Sequence, residues 1–444
     1  MGMFRLAARI LVPLLFLALI GCGTTNPYAP ILDLTELAQD AGAYHGLPPD
    51  ERLLGEAAQQ AAWDRFIEAH FDPWVRTSAK HTAEEVFWGL SSYAGKELFG
   101  ENTLPRDPGW LDRMRAASRT EDYPSLHRRA VTVVNAHMRV LPTLHPAFQD
   151  FRKAGEGFPF DYMQNSLVLA GTPLLATHVS ADRAWVLVES RFAYGWVRAT
   201  DIGWVDDGFV AAYRTNAYAA VTRDRVPVVD RDGQYCFTAQ VGAILPVAET
   251  ADDGRMTTLV PVRDDRGNAV IHRADLAEAA ARPAPVPATP HDFARVANEM
   301  MGRQYGWGGL FENRDCSAMT MDLMAAFGIL LPRNSSKQIE TGARVSLEGL
   351  NRDEKKRAII ERSTPFLTLV RKPGHIMLYV GSREGDPIVL HATWGVKTET
   401  GDGFGRKVIG ATVITTLEPG LELDDLARHG GVLLDSVLAV TTLP

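Results

Sequence analysis

Asn313-Arg314-Asp315-Cys316-Ser317 runs without a break into Ala318-Met319-Thr320-Met321-Asp322-Leu323-Met324-Ala325-Ala326-Phe327, and Gly328 follows. The Ala, Met, Leu and Phe content from Ala318 to Phe327 predicts a buried helix, and Gly328 supplies its C-terminal stop. Cys316 then sits in the first turn. Unpaired N–H groups and the positive end of the helix dipole favour thiolate over thiol there, and the same N–H groups can hold an oxyanion. Asp315 also reads as a plain N-cap of this helix.

A thiol nucleophile needs a proton donor for the leaving amine. Beyond Cys316 the histidines are His375, His391 and His429. Pro373-Gly374 turns the chain into the apolar run after His375, and Pro387 to Ala392 makes the neighbouring strand after a turn at Gly385. A hairpin can bring both imidazoles together, with His375 paired to the sulfur and His391 orienting its ring. Upstream, Asp292 to Met301 predicts a short helix, followed by the turn-rich Gly302 to Gly309.

Outward from this stretch the chain is ordinary in composition. Its 444 residues are 46% hydrophobic and 23% charged, with a formal net charge of -8 and no Lys/Arg-rich block. That length predicts about three domains, possibly four small ones, and the charge disfavours nucleic acid as a partner. No cysteine pair or Cys/His cluster has zinc-ligand spacing, so neither a structural metal nor a cofactor is expected.

Two arginines lie in Met1 to Arg9, and Ile10 to Ile20 is an apolar run of eleven residues, too short to span a bilayer. It reads as a signal peptide. The ending Leu19-Ile20-Gly21-Cys22 resembles the bacterial lipobox, which implies lipidation at Cys22 and a lipoprotein on the periplasmic side of a bacterial membrane, the outer membrane in a Gram-negative cell. An ordinary secretory signal that happens to meet a cysteine is the alternative. Of the two remaining cysteines, Cys236 lies in a predicted strand as a small buried hydrophobe.

From Ile31 to about Leu126 the apolar positions recur at helical spacing and predict a helical or irregular stabilising domain at 23–126, whose Trp63, Trp74, Trp88 and Trp110 serve packing or, alternatively, a sugar-binding surface. From Ala130 the pattern changes to short alternating strands. Gly171-Thr172-Pro173-Leu174, Trp185 to Val188 and Arg198 to Ile202 recur as Gly242 to Leu245, Met256 to Leu259 and Arg273 to Leu276, at offsets of 71 and then 74 residues. Two copies of one small barrel follow, at 127–206 and 207–278. The proline-rich 279–290 predicts an extended linker to a last domain at 291–444.

The first copy resembles bacterial Src-homology-3-like domains. Tyr305-Gly306-Trp307-Gly308-Gly309, Arg314-Asp315-Cys316-Ser317, Pro332-Arg333-Asn334-Ser335-Ser336-Lys337-Gln338 and Gly374 to Gly381, in this order, resemble the NlpC family of papain-like bacterial cell-wall cysteine peptidases. The resemblance implies an α+β multidomain chain that hydrolyses the γ-D-glutamyl to diamino-acid bond of peptidoglycan stem peptides. It implies Cys316 as nucleophile, His375 and His391 as its partners, Tyr305 beside the sulfur, and Asp315, Ser317 and Ser335 as the site for the free amino terminus of L-Ala-γ-D-Glu. The family's Asp-Cys-Ser-Gly is Asp-Cys-Ser-Ala here, and the charged segment at 342–365 is either a lid or a solvated helix.

Three further expectations complete the reading. The first barrel and the helical domain should wall the substrate groove, with Tyr194 and Asp161 as candidate contacts. The protein is expected to be a monomer that binds stem peptides. A catalytically inactive peptidoglycan-binding scaffold, or a papain-like amidase or acyltransferase, is the rival to the peptidase.

Overall fold

The computed structural model describes residues 29–153, 155–401 and 403–444. Cys22 and the apolar run before it lie outside the described residues. Among those described, no helix is long and apolar enough to cross a membrane.

The helical region has no core of its own. The long helix Glu56–Val75 buries Trp63, Phe66, Phe71 and Trp74 in one cluster with Met319, Phe327 and Leu369 of the last domain. Further along, Val86, Phe87, Leu90 and Trp110 pack with Trp185, Leu187 and Trp196 of the first barrel. This region is a clasp across its neighbours. Trp74 also donates its indole N–H to the carbonyl of Ala130 at 2.7 Å. Three of the four tryptophans are thus packing residues, and Trp88 lines the cleft described below.

The first barrel comprises β1 (Arg128–Thr132), β2 (Ala136–Arg139), β3 (Gln164–Val168), β4 (Pro173–Val179), β5 (Trp185–Glu189), β6 (Tyr194–Arg198) and β7 (Ile202–Trp204). The second comprises β8 (Tyr218–Val221), β9 (Val226–Val229), β10 (Tyr235–Ala239), β11 (Ile244–Thr250), β12 (Met256–Arg263), β13 (Ala269–Leu276) and β14 (Ala281–Pro283). The order β6-β5-β4-β1-β7 in one repeats as β13-β12-β11-β8-β14 in the other. The closing strand of the second copy, β14, therefore lies inside the segment read as a linker, and Asp275, inside β13, is not the counterpart of Asp201.

That segment is docked along its length. Pro283 is tolerated because β14 is an edge strand. Beyond it, the carbonyl of Val286 accepts from the Gln59 amide at 2.7 Å, and the Val286 N–H donates to the carbonyl of Ala326 at 2.9 Å. Val286 and Ala288 are fully buried. Burial of these small apolar side chains outweighs the extended, solvated form that proline favours.

The last domain is a six-stranded antiparallel sheet formed by β15 (Ala343–Ser346), β16 (Thr368–Lys372), β17 (His375–Arg383), β18 (Asp386–Thr400), β19 (Gly403–Thr415) and β20 (Ala439–Thr442), in the order β15-β20-β16-β17-β18-β19. The helix Cys316–Ala326 packs on β17 and β18, and every one of its residues is buried. The charged segment forms a surface helix, Arg352–Arg362, tied down by Lys355 to the carbonyls of Leu434 and Asp435 and by Lys356 to Asp386 and Glu418. It lines no part of the cleft and is no lid.

Candidate active site

Cys316 opens the helix Cys316–Ala326, with Asp315 as its N-cap accepting from the Ala318 N–H at 2.8 Å. Its backbone N–H, at the first helical position, has no intrahelical partner. Asp315 does more than cap. Its Oδ2 accepts from Arg333 Nη2 at 2.7 Å and from the Gly308 N–H at 3.0 Å, and its Oδ1 accepts from Arg333 Nη1 at 3.1 Å and Ser317 Oγ at 3.2 Å. Burial alone would raise the Asp315 carboxyl, but Arg333 overrides it and holds the group below its usual range. The negative charge that was to meet a substrate ammonium is therefore already matched.

The Gly-Gly of the upstream motif has a steric reason. Gly308 and Gly309 adopt φ of 60° and 87°, and a Cβ on Gly308 would lie 2.5 Å from the carbonyl oxygen of Gln164 in the first barrel. Gln164 in turn donates its amide to the carbonyl of Gly308 at 3.0 Å. Arg333 Nε reaches Ser166 Oγ at 2.9 Å. The first barrel is thereby fastened directly beside the nucleophile.

His375 begins β17 after the Pro373-Gly374 turn, where Gly374 takes φ of 73°. Its Nε2 lies 2.7 Å from His391 Nδ1, and His391 Nε2 lies 3.0 Å from Thr415 Oγ1, which donates to the carbonyl of Thr416 at 2.6 Å. This chain assigns the protons. Thr415 uses its one hydrogen on a carbonyl, so it accepts from His391 Nε2–H; His391 Nδ1 then accepts from His375 Nε2–H. His375 Nδ1 is left with a lone pair, the tautomer of a base.

Cys316 and His375 face the same cleft without a hydrogen bond between them, and the Ile376 N–H, next to His375, points at the sulfur. Burial pushes the Cys316 thiol up to about 12, with the charge of Asp315 adding to it, against the opposing Ile376 and Ser317 N–H groups and Arg333. Burial also holds His375 well below its usual value, with His391 and Lys372 contributing, and takes His391 down to about 3. Burial thus disfavours both charged forms, thiolate and imidazolium, and opposes the helix dipole that favours the thiolate.

Tyr305 lines the cleft next to Cys316. Burial and the charges of Asp315 and Cys316 push its phenol well up, so it remains a hydroxyl donor. Ser317 Oγ is held by Arg333 Nη1 at 2.8 Å, and Ser335 lines the wall with Asn334 and Ser336. The structure thus gathers Cys316, His375, Tyr305, Asp315, Ser317 and Ser335 around one cleft of about 830 Å³, with His391 buried behind His375.

Barrel and clasp supply the opposite wall through Trp88, Tyr93, Phe160, Tyr162, Asn165 and Tyr194. Phe160 packs edge-on to Trp307 at 5.3 Å. Asp161 is not a cleft residue: it is buried, accepts from Arg139 Nη1 at 2.7 Å and takes the Ala147 and Met163 N–H groups, so it clamps the loop that carries Phe160 and Tyr162. Arg333, Thr415, Lys372 and Gln164 are site residues that the sequence reading missed. Arg333 lies within the motif of Ser335 and Lys372 just before that of His375; Gln164 and Thr415 carry no local signal.

Residues 302–403 match the NlpC/P60 family, 9–123 its N-terminal stabilising domain, 146–198 an SH3 domain of the SH3b1 type and 206–250 one of the SH3b2 type. An NlpC/P60 endopeptidase from Photobacterium damselae subsp. piscicida is similar in structure with a TM-score of 0.83 and 25% identity, covering 93% of this chain and 98% of that one. An NlpC/P60 family protein from Bacillus cereus aligns at a TM-score of 0.47 and 14% identity over 71% of this chain and all of the other. No curated protein matches the sequence.

Proposed function

We propose, for a chain that belongs to the NlpC/P60 family of cysteine endopeptidases, that it cleaves the γ-D-glutamyl to diaminopimelate bond of peptidoglycan stem peptides that bear a free L-Ala. The observation that carries this reading is the proton chain ending at His375 Nδ1, beside a buried cysteine at a helix N-terminus. As Cys316 Sγ attacks the γ-carbonyl carbon, its proton passes to His375 Nδ1, and the Nε2–H bond to His391 keeps the imidazolium in place. The Cys316 N–H and the Tyr305 hydroxyl face the oxyanion. The imidazolium then gives its proton to the leaving amine, which breaks the C–N bond and leaves a thioester on Cys316. Water, deprotonated by His375, releases L-Ala-D-Glu.

Support for a short, amino-terminally free substrate comes from the aromatic wall that the first barrel and the clasp raise beside Asp315, Ser317 and Ser335. Since the Asp315 charge is matched by Arg333, the ammonium would meet aromatic faces and hydroxyls rather than a bare carboxylate. Incubation with L-Ala-γ-D-Glu-diaminopimelate and its N-acetyl form tests this. Release of L-Ala-D-Glu from the free peptide alone is the expected result; equal cleavage of both refutes the amine requirement. Intact stems alongside a modified acceptor would instead point to acyl transfer.

We further propose that Ile10 to Ile20 and Cys22 export and lipidate the protein, which would hold it as a monomer on the periplasmic face of a membrane. Labelled palmitate should enter the wild-type protein and not Cys22→Ser; equal labelling of both would refute the anchor.

A further inference from the structure

Besides the catalytic residues the cleft is lined by Lys372, Lys397 and Arg406. Lys372 pairs with His375 across the β16–β17 turn, and Lys397 stands directly opposite Arg406 on β18 and β19. Like charges in register across two strands are unfavourable, so this placement needs another reason. Burial pushes the Lys372 ammonium down, with Arg406 adding to it, and burial does the same to Arg406.

Among the described residues no carboxylate pairs with any of the three. Lys372 Nζ reaches only the carbonyl of Pro373 at 3.3 Å. Lys397 Nζ reaches the carbonyl of His429 at 3.4 Å and lies 3.5 Å from the centre of the Phe404 ring. The one acid in the cleft lining, Asp315, is held by Arg333. The cleft therefore carries, among the described residues, three positive charges with no carboxylate partner, open to an anion.

Direction follows from proton transfer. The leaving amine must depart toward the group that protonates it, so the leaving residue lies on the His375 side, beside its strand partner Lys372. We propose that Lys372, Lys397 and Arg406 form a carboxylate-binding subsite for the residue released by cleavage, which selects a leaving residue with free carboxylates over an amidated or cationic one. This rests on the peptidase reading above. Diaminopimelate offers two carboxylates beside its remaining ammonium; a lysine amide offers the ammonium alone.

The test compares kcat/KM on L-Ala-γ-D-Glu-X peptides with X as diaminopimelate, diaminopimelate amidated at both carboxyls, and lysine amide. Wild-type protein should prefer the free acid by about tenfold or more. In Lys397→Gln/Arg406→Gln, shown folded by circular dichroism, that preference should fall below about threefold. The single Arg406→Gln protein, with an intermediate preference, serves if the double variant does not fold. Equal wild-type rates on acid and amide, or an unchanged ratio in the variants, overturn the subsite and leave the peptidase reading standing. No cleavage of any of the three overturns both.

Discussion

The two barrels share one strand order and do opposite work. In the first, the described residues 140–153 and 155–163 between β2 and β3 form a long excursion, clamped by Asp161 on Arg139, that delivers Phe160 and Tyr162 to the cleft. In the second, residues 230–234 join β9 and β10 directly, and no residue of that barrel lines the cleft. Its contribution comes from behind the nucleophile. Asp224 takes two bonds from the buried Arg314, at 2.7 and 2.9 Å, while Arg314 Nε holds Asp322 of the nucleophile helix and Gly242 packs against that same residue. A duplicated module has therefore been divided between recognition and support by the length of one connection.

That division can be broken most severely from the supporting side. Asp224→Ala takes one of its two carboxylate partners and two buried hydrogen bonds from the Arg314 guanidinium and should lower stability by about 3–5 kcal/mol in urea unfolding, with kcat/KM of the folded fraction little changed. A stable but inactive Asp224→Ala protein would place the second barrel in the chemistry instead. From the recognising side, Tyr194→Ala should lower kcat/KM by about tenfold with a small stability change, since its ring lines the cleft. A large loss of stability with normal kinetics would erase the distinction.

A third test concerns how strongly the packing of barrels and clasp desolvates the pair. The rate of iodoacetamide alkylation at Cys316, followed by peptide mass spectrometry, should keep climbing with pH toward the thiol value of about 12. A plateau below pH 9 would mean that the ion pair is the resting state after all. Smallest at neutral pH is the effect of His70, a clasp residue buried among Phe66 and Phe71 and held at about 3 by burial. Its folded value lies below the unfolded value near 6.5, so its stability contribution is complete above pH 6.5 and is lost as pH falls toward 3. His70→Leu should therefore flatten the acid limb of a stability–pH profile, and an unchanged limb would contradict this.

The legible parts were those encoded by neighbours in sequence. The Cys316 helix, its Gly328 stop and the turn before His375 are local, and both barrel copies were visible because strands alternate over short spans. Less legible were features set by distant partners. Asp315 reads as an available carboxylate until Arg333 folds onto it, and the thiol reads as ionised until burial is known. The proline-rich 279–290 reads as a tether because its burial against Gln59 and Ala326 has no periodicity. Thr415, which fixes the tautomer of His391, sits 99 residues from the cysteine it serves.

In the proposed reaction Cys316 Sγ is the attacking atom. Product analysis by mass spectrometry on L-Ala-γ-D-Glu-diaminopimelate, with wild-type and Cys316→Ala proteins of equal stability, addresses it directly. Free diaminopimelate from the wild type and none from the variant is the predicted result; undiminished release by Cys316→Ala would contradict it.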